Sequence, residues 1–286
     1  MKYNILRRAD HAAGLADAGL LAAIRDDLTR DGWTLLRGFG PSMAEFAGLV
    51  GTLCSRVTFD PARSHSSDRT QMVDAGLGPI GLHIENGNTP RCPDIVTFFA
   101  ERAAFEGSQT TICDGAMLWQ AFDGERKARW SQSMTVERVL PELLWKRYLA
   151  NEHPAISHPE EVRMEHVLQF QQAVPGQSFE LHEDGSLTYR LTLDPVRASV
   201  FSGARGFANA VLGPSHNYQP PRYRLADGSE VTAGEIEEIR AIAEDVTHEI
   251  NWQDGDIAVL DNTRVMHGRR AIADADRNLF IGMGSL

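Results

Sequence analysis

The chain has 286 residues, of which 42% are apolar and 23% charged, and it carries a formal net charge of -11. This length and composition are typical of a globular chain with ample core, so we expect a single domain over residues 1–286. The negative net charge argues against a nucleic-acid-binding surface, which needs clustered basic residues. No run of about 20 apolar residues occurs, so we expect no membrane helix and no membrane partner.

The three cysteines, Cys54, Cys92 and Cys113, show no CxxC spacing. Their odd number and scattered positions argue against a disulfide framework and favour a reducing, cytoplasmic location. A nucleophilic role for Cys92 or Cys113 is an alternative, but buried small thiols are the simpler interpretation. The sequence predicts a small-molecule substrate and leaves homo-oligomerisation open.

The first half of the chain alternates helix and strand signals. An Ala/Leu-rich pattern predicts a helix over 10–30, and a β-rich run predicts a strand over 33–39. Ser42, followed three residues later by Glu45, forms a capping box for a second helix that reaches about Leu53. We further expect two short strands within 55–80, strands at 94–100 and 107–115, a short helix at 116–122 and a broken helix over 124–150.

The second half contains mainly short strands. Thr232 and Glu235 form another capping box, which predicts a helix to about Val246. The stretch 154–174 gives no clear pattern. Strands are predicted at 178–181, 187–193, 198–201, 248–252, 257–262 and 279–283. We therefore expect a mainly β, α+β fold with flanking helices, a β-sandwich or jelly-roll core and a helical insertion.

A histidine and a carboxylate stand two residues apart in Gly81-Leu82-His83-Ile84-Glu85-Asn86. In an extended strand, residues i and i+2 project from the same face, so His83 and Glu85 would point the same way. An imidazole and a carboxylate on one face are two of the three ligands that an N/O-preferring divalent metal needs. The pair alone is a weak signal, because a lone histidine is more often structural.

A third ligand candidate, His267, follows a predicted buried strand, and Arg277 lies ten residues further on. His267 is 184 residues from His83, so only tertiary structure can bring them together. The alternative interpretations are a loop histidine and a surface arginine.

The ordered set of His83, Glu85, His267 and Arg277 resembles the iron(II)/2-oxoglutarate-dependent oxygenases of the taurine dioxygenase and clavaminate synthase-like group. The segment 107–110 is similar to that group's Gly-Gly-x-Thr turn. Trp252 to Asp256, followed by Leu260-Asp261-Asn262, is similar to the run before its second histidine. Trp33 to Phe39 resembles its early strand. The resemblance covers nearly the whole chain and is weakest over about 120–230, which we expect to be a lid or insertion within the same domain.

The resemblance implies a jelly-roll core and the cofactors Fe(II), 2-oxoglutarate and O2. It also implies that His83, Glu85 and His267 are the metal ligands and the catalytic set. Arg277 would bind the distal carboxylate of 2-oxoglutarate, for which a planar guanidinium is well suited. Thr110 would add a hydrogen bond to the same carboxylate, although the adjacent Thr111 is an alternative.

The carboxylate of Glu85 also bears on the reaction. Halogenating relatives have Gly or Ala at this position, so Glu85 favours hydroxylation of an unactivated C–H bond. The His-x-Glu pair resembles that of the branch near the amino-acid hydroxylases and halogenases. This resemblance favours an amino acid or amine-like substrate. Asn86 and Arg91 follow the motif where the family often places substrate contacts. Arg269 is a further candidate, although surface salt bridges of Arg269 and Arg270 are the simpler interpretation.

Three functional hypotheses follow from these residues. The first is the hydroxylase, with release of succinate and CO2. The second keeps the cofactors but ends in desaturation, or in cleavage of another small acid such as a sulfonate. The third is a catalytically inactive jelly-roll binding protein. Substrate identity, the carbon attacked, and the choice between a free and a carrier-tethered substrate stay open.

Overall fold

Seventeen strands and seven α-helices build the part of the chain described by the computed structural model, residues 5–11, 13–60, 63–74, 76–153, 156–214 and 219–286. The strands are β1 (Ile5–Arg7), β2 (Trp33–Arg37), β3 (Arg56–Thr58), β4 (Gln71–Met72), β5 (Ile80–His83), β6 (Ile95–Arg102), β7 (Thr110–Asp114), β8 (Met134–Leu140), β9 (Gln177–Leu181), β10 (Leu187–Leu193), β11 (Val196–Ala198), β12 (Arg205–Phe207), β13 (Arg222–Leu225), β14 (Thr247–Ile250), β15 (Asp256–Asp261), β16 (Val265–Arg269) and β17 (Asn278–Ser285). The helices are α1 (Ala18–Asp31), α2 (Met43–Leu53), α3 (Gly115–Ala121), α4 (Gly124–Trp130), α5 (Glu142–Glu152), α6 (Met164–Ala173) and α7 (Ala233–Asp245). The expected mixed α+β class is confirmed.

Two sheets share one apolar interior. The larger has seven strands in the order β1-β2-β15-β6-β17-β3, with β4 also paired to β17. The smaller has the order β14-β7-β16-β5. Val96 and Phe98 of β6 pack in one buried cluster with Ile112 of β7 and Val265 of β16. The two sheets therefore contact each other through their inner faces.

The outer face of the larger sheet is covered by α1 and α2. Ile95 and Phe99 of β6 belong to a second buried cluster, with Leu20 and Ile24 of α1 and Phe46 of α2. Alternate residues of β6 thus enter different cores, as the two-residue period of a strand requires. Burial on both faces explains why this strand has an uninterrupted apolar sequence.

The first helix begins later than its sequence pattern predicts. Asp17 accepts a hydrogen bond from the Leu20 backbone N–H and caps α1, which starts at Ala18. Residues 8–10 and 14–16 form separate 3-10 turns instead of extending the helix. The capping boxes at Ser42 and Thr232 are both present, so the predicted starts of α2 and α7 are confirmed.

A third sheet lies in the region where we expected a helical insertion. It has the order β13-β8-β10-β9, and its strands are antiparallel. The prediction of a broken helix over 124–150 is wrong for β8, whose alternating Met134, Val136 and Arg138 are buried while Val139 is exposed. The expected strand over 198–201 is also displaced. β11 ends at Ala198, and Ser199 accepts N–H groups of the turn that follows.

Buried aromatic and aliphatic residues give this third sheet its own core with α5 and α6. Trp145, Phe170 and Leu187 are among its members. The strands expected at 178–181 and 187–193 are present as β9 and β10, so the region of the expected helical insertion combines helices with a sheet. None of the helices in the described residues is long and apolar enough to cross a bilayer.

Gly268 allows β16 to fit between its neighbours. A Cβ there would lie 2.5 Å from the Ile80 carbonyl oxygen and 2.8 Å from Thr111 Oγ1. We expect Gly268→Ala to lower the free energy of unfolding by about 1–3 kcal/mol, because neither flanking strand can move away without losing contacts. Gly48 of α2 is the matched control, since a Cβ there meets nothing within 4 Å. Gly48→Ala should raise the free energy of unfolding by roughly 0.5–1 kcal/mol. Urea unfolding of both variants measures the difference, and equal values would contradict the packing argument.

Candidate metal centre

Strand pairing brings His83 and His267 together, and Glu85 lies beside them. His267 of β16 lies opposite His83 of β5 in the register of the smaller sheet. One ligand atom from each of the three residues lies within 4.8 Å of the other two. Glu85 Oε1 is 3.3 Å from His267 Nε2 and 3.8 Å from His83 Nε2. The spacing suits three ligands on one face of a single ion.

The backbone orients the His83 ring. His83 Nδ1 lies 2.8 Å from the Gly81 carbonyl oxygen, which can only accept, so Nδ1 carries the proton. The lone pair is then on Nε2, the atom that faces Glu85. An imidazole held in this tautomer by a carbonyl is the usual arrangement of a metal-binding histidine.

Asn262 positions Glu85. The expected extended strand ends at His83, and Glu85 opens a turn in which Asn86 has a φ of 54°. The Glu85 N–H donates to Asn262 Oδ1 at 2.8 Å, and Asn262 Nδ2 donates to the carbonyl oxygens of Glu85 at 3.2 Å and Pro93 at 2.9 Å. Asn262 thus replaces the lost ladder bonds and aims the carboxylate at the two imidazoles.

The electrostatics of the centre favour the protonation states that a metal requires. Burial alone would raise the pKa of Glu85, but the Arg63 guanidinium and the two histidines hold the pKa of this carboxyl well below its usual range. Burial, together with His83, lowers the pKa of His267 to about 4. A charged carboxylate and a neutral imidazole are the forms that bind a divalent ion, so these residues fit iron(II).

Arg277 lies near another arginine, Arg269. Its Nη1 donates to Ser108 Oγ at 2.8 Å. Burial and the neighbouring Arg269 lower the pKa of Arg277 to about 10, so Arg277 is still charged at neutral pH. Ser108 is buried in a left-handed backbone conformation with a φ of 66°. Two guanidinium groups at this place create a positive potential that suits the distal carboxylate of a dicarboxylate.

Thr110 shares the face of the smaller sheet that carries His267. In the register of β16 and β7, Thr110 is opposite Arg269 and Ile112 is opposite His267, so the adjacent Thr111 points away. Thr110 Oγ1 accepts a hydrogen bond from Trp252 Nε1 at 2.9 Å. Because Trp252 can only donate, the hydroxyl proton of Thr110 stays available for another acceptor.

Asn86 and Arg91, the candidate substrate contacts that follow the His-x-Glu pair, make different contacts. Asn86 lies in the turn after Glu85, where its carbonyl oxygen accepts from Thr89 Oγ1 and Cys92 Sγ. Arg91 stacks over the Phe170 ring of α6, 5.8 Å from its centroid. Arg91 therefore connects the turn after Glu85 with the inserted region.

The expectation that Arg269 forms surface salt bridges is wrong. Arg269 is buried, and its Nη2 donates to the carbonyl oxygens of Gly76 and Gly78. It points inward because it lies two residues after His267 in the same strand. Arg270 points outward and pairs with Glu249 and Glu244, as the sequence predicts.

Sequence reasoning missed Arg63 and the role of Asn262. Arg63 Nη2 lies 2.8 Å from Glu85 Oε1, although its segment reads as a polar surface loop. No local pattern indicates this pair. Asn262 was recognisable as part of Leu260-Asp261-Asn262, but its contact with Glu85 spans 177 positions and could not be deduced from spacing.

Two histidines and one carboxylate with converging ligand atoms are the set typical of mononuclear non-haem iron(II) oxygenases. The family model of the taurine catabolism dioxygenase TauD, TfdA family matches residues 10–283. The chain therefore belongs to this family of iron(II)- and 2-oxoglutarate-dependent dioxygenases. No curated protein sequence gives a significant match.

Solved structures share the fold over almost the whole chain. PvcB from Pseudomonas aeruginosa is 14% identical, with 98% of this chain and 84% of that chain covered and a TM-score of 0.60. AAD-2 in complex with Mn(II) and N-oxalylglycine is 13% identical, with 99% and 94% covered and a TM-score of 0.61. A Burkholderia xenovorans protein, proposed to be an alpha-ketoglutarate dependent 2,4-D dioxygenase, is 13% identical, with 99% and 94% covered and a TM-score of 0.60. At these identities the likeness concerns the fold.

Removing the Asn262 side chain should weaken the metal centre. We expect Asn262→Ala to lower the affinity for a divalent ion by about 10–100-fold, because the backbone N–H and C=O of Glu85 both lose their hydrogen bond to Asn262. Anaerobic titration with cobalt(II), followed by visible absorption, measures the dissociation constant. Asn251→Ala is the control, since Asn251 is exposed. An unchanged cobalt(II) affinity in the Asn262 variant would show that Glu85 is positioned without it.

Proposed function

We propose that this dioxygenase hydroxylates an unactivated C–H bond of a small amino acid or amine-like substrate, with release of succinate and CO2. The observation that carries the proposal is the complete ligand set of His83, Glu85 and His267, whose ligand atoms converge within 4.8 Å. The amino acid class is supported by the glutamate in the His-x-Glu pair, which resembles the amino-acid hydroxylase and halogenase branch.

The proposed roles follow from the positions of the side chains. His83 and His267 would hold iron(II) through Nε2 and Glu85 would hold it through Oε1, the atoms that face one another. With iron(II) bound, O2 would be the oxidant, with one oxygen atom going to the substrate and the other to the succinate formed from 2-oxoglutarate. Arg277 pairs with the distal carboxylate of 2-oxoglutarate, and Thr110 donates its available hydroxyl proton to the same group.

The walls of the centre keep water from His267 and Glu85, whereas His83 is partly exposed. The Phe98 ring packs edge-on against His267, with centroids 5.0 Å apart, and the two imidazole rings lie 4.6 Å apart. His267 and Glu85 are each 4% exposed. A dry site strengthens the interaction between the carboxylate and a metal cation and protects reactive species from side reactions.

Hydroxylation is favoured over halogenation because Glu85 occupies the position of the third ligand. A halide would need this position to be vacant. Arg63 and Asn262 hold the side chain and the backbone of Glu85, respectively, so the carboxylate is not free to swing away. Asn86, Arg91 and Arg269 are the proposed substrate-side residues.

We further propose that the two facing sheets form a jelly-roll core and that residues of about 120–230 act as a lid over the substrate. The contact of Arg91 with Phe170 supports the lid, because it joins the turn after Glu85 to α6. Within this region α5 and α6 belong to a buried cluster separate from those of the two facing sheets, so this part can move or change in sequence while the core sheets stay in place.

The central test is release of succinate. Protein loaded with iron(II) and ascorbate should convert 2-oxoglutarate to succinate when given the right member of a panel of amino acids and small amines. Product mass separates the outcomes, since hydroxylation adds one oxygen, desaturation removes two hydrogens and cleavage gives two fragments. We expect His267→Ala to lose iron binding and turnover, and the exposed His158→Ala to retain both. Full turnover by the His267 variant would contradict the proposed centre.

Arg277 should govern the affinity for the co-substrate. We expect Arg277→Ala to raise KM for 2-oxoglutarate by about 30-fold or more, because the distal carboxylate would lose a charged partner. Arg277→Lys should recover part of this loss, since lysine retains the charge but not the planar fork. Steady-state succinate release at varied 2-oxoglutarate measures KM, with the exposed Arg25→Ala as the control. An unchanged KM in the alanine variant would assign the distal carboxylate to another residue.

A further inference from the structure

Arg63 reaches the metal centre from outside the motifs that define it. It lies in the loop between β3 and β4, and its Nη2 donates to Glu85 Oε1 at 2.8 Å. The same oxygen faces His267 Nε2 and His83 Nε2. The guanidinium therefore lies at the rim of the place where the three ligand atoms converge.

The loop holds the Arg63 backbone in place. Gln71, which is 1% exposed, donates through Nε2 to the carbonyl oxygens of Asp60 at 2.8 Å and Arg63 at 3.2 Å. Gln71 Oε1 also accepts the Asp60 N–H at 2.8 Å, and the Arg63 N–H donates to the Asp60 carbonyl oxygen. A buried glutamine that bonds three backbone groups makes this loop a fixed support for the Arg63 side chain.

One end of the Arg63 guanidinium has no acceptor. The side chain is only 14% exposed, and Nη1 is buried without a hydrogen-bond partner among the described residues. A buried N–H group of a cation without an acceptor is rare, because the lost hydration is not replaced. Nη1 and Nη2 share one carbon atom, so whatever binds Nη1 also lies next to Glu85.

We propose that Arg63 Nη1 binds a carboxylate of the substrate, so that the enzyme acts on a free acid and rejects the corresponding amide, ester or carrier-bound thioester. This inference rests on the proposed function. A carboxylate is the fitting partner, because a charge-assisted hydrogen bond from a guanidinium to a carboxylate is roughly twice as strong as a bond between neutral groups. The carboxylates of 2-oxoglutarate do not fill this role, since Arg277 and the metal account for them in the proposed function.

The location also limits which carbon is oxidised. A carboxylate at Arg63 Nη1 is anchored beside the Glu85 side of the metal centre. The C–H bond presented to the metal then lies only a few bonds from that carboxylate. A recognition site that bonds an anion rejects the uncharged analogue strongly, because the cation would be left buried without its partner.

The competing explanation is that Arg63 only holds Glu85 in position. In that case the Arg63 side chain would affect metal binding, but the enzyme would not distinguish an acid from its amide. The experiment must therefore measure substrate selectivity separately from the metal centre.

The probes are the proteinogenic L-amino acids, their carboxamides and the matching decarboxylated amines. Wild-type enzyme with iron(II) and 2-oxoglutarate is assayed for succinate release and, under anaerobic conditions, for changes in its visible metal-to-2-oxoglutarate absorption band. We expect the productive amino acid to have a kcat/KM at least tenfold above that of its carboxamide, with most of the difference in KM. Equal kcat/KM for the acid and its amide, or turnover of amines alone, would overturn the inference and leave the proposed function intact. Succinate from none of the probes would contradict the proposed function itself.

Variants of Arg63 supply the second measurement. Arg63→Met should raise KM for the amino acid at least tenfold and reduce the preference for acid over amide towards one. Arg63→Lys keeps a charge beside Glu85 and should preserve the absorption band while weakening the preference. The control is Arg56→Met, an exposed arginine of β3. A lysine or methionine variant that retains the wild-type preference would show that Arg63 acts only on Glu85.

Discussion

The pairing of β16 with β5 is the constraint on which the candidate metal centre depends. It places His267 directly opposite His83, although the two residues are far apart in the chain. The pair lies in a sheet whose neighbours are close: a Cβ at Gly268 would meet the Ile80 carbonyl oxygen at 2.5 Å, and one at Gly81 would meet the Leu212 carbonyl oxygen at 2.2 Å. A shift of one residue would turn His267 to the opposite face. Close packing therefore protects the register, and the register holds the two imidazoles together.

Glu85 is positioned by different means, since it lies beyond the end of β5. Its backbone is held by Asn262, which follows β15 of the other sheet, and its carboxylate is held by Arg63 from a third segment. The centre thus joins both sheets and one loop. The opposite charge also comes from a different segment. Burying the Glu85 carboxylate alone would be costly, and the Arg63 guanidinium offsets this cost and keeps the carboxylate ionised. The three-ligand set is therefore a property of the assembled interior and not of the His-x-Glu sequence.

Local signals in the sequence were enough for several elements. The capping boxes at Ser42 and Thr232 marked the starts of α2 and α7, because a cap is formed by residues three positions apart. β8 was missed, since its two-residue apolar alternation breaks at the buried Arg138 and the exposed Val139, and since the strand lies between helical segments. Arg138 is buried there and pairs with Tyr189 of β10, a position that favours a charged side chain only in the tertiary structure.

Part of the candidate site could also be predicted, because the order and spacing of residues can be seen in the sequence. The order and spacing of His83, Glu85, His267 and Arg277 resembled a known family, and the structure brings the first three together. The contacts of Arg63 with Glu85 and of Arg277 with Ser108 depend on where loops fold back. Loop conformation depends on long-range bonds such as those of Gln71, which leave no periodic pattern in the chain.

The family resemblance is weakest over about 120–230, and one part of this region has packing of its own. Helices α5 and α6 share a buried cluster with the third sheet that includes Trp145, Phe170 and Leu191. Another part packs directly on the core, since Met134 and Val136 of β8 share a buried cluster with Ile84 and with Met266 of β16. Substitutions around α5 and α6 can therefore change the sequence without reaching the proposed metal ligands. Changes at Met134 or Val136 act on Ile84, which lies between His83 and Glu85, and so affect the candidate centre as changes around Gly268 do.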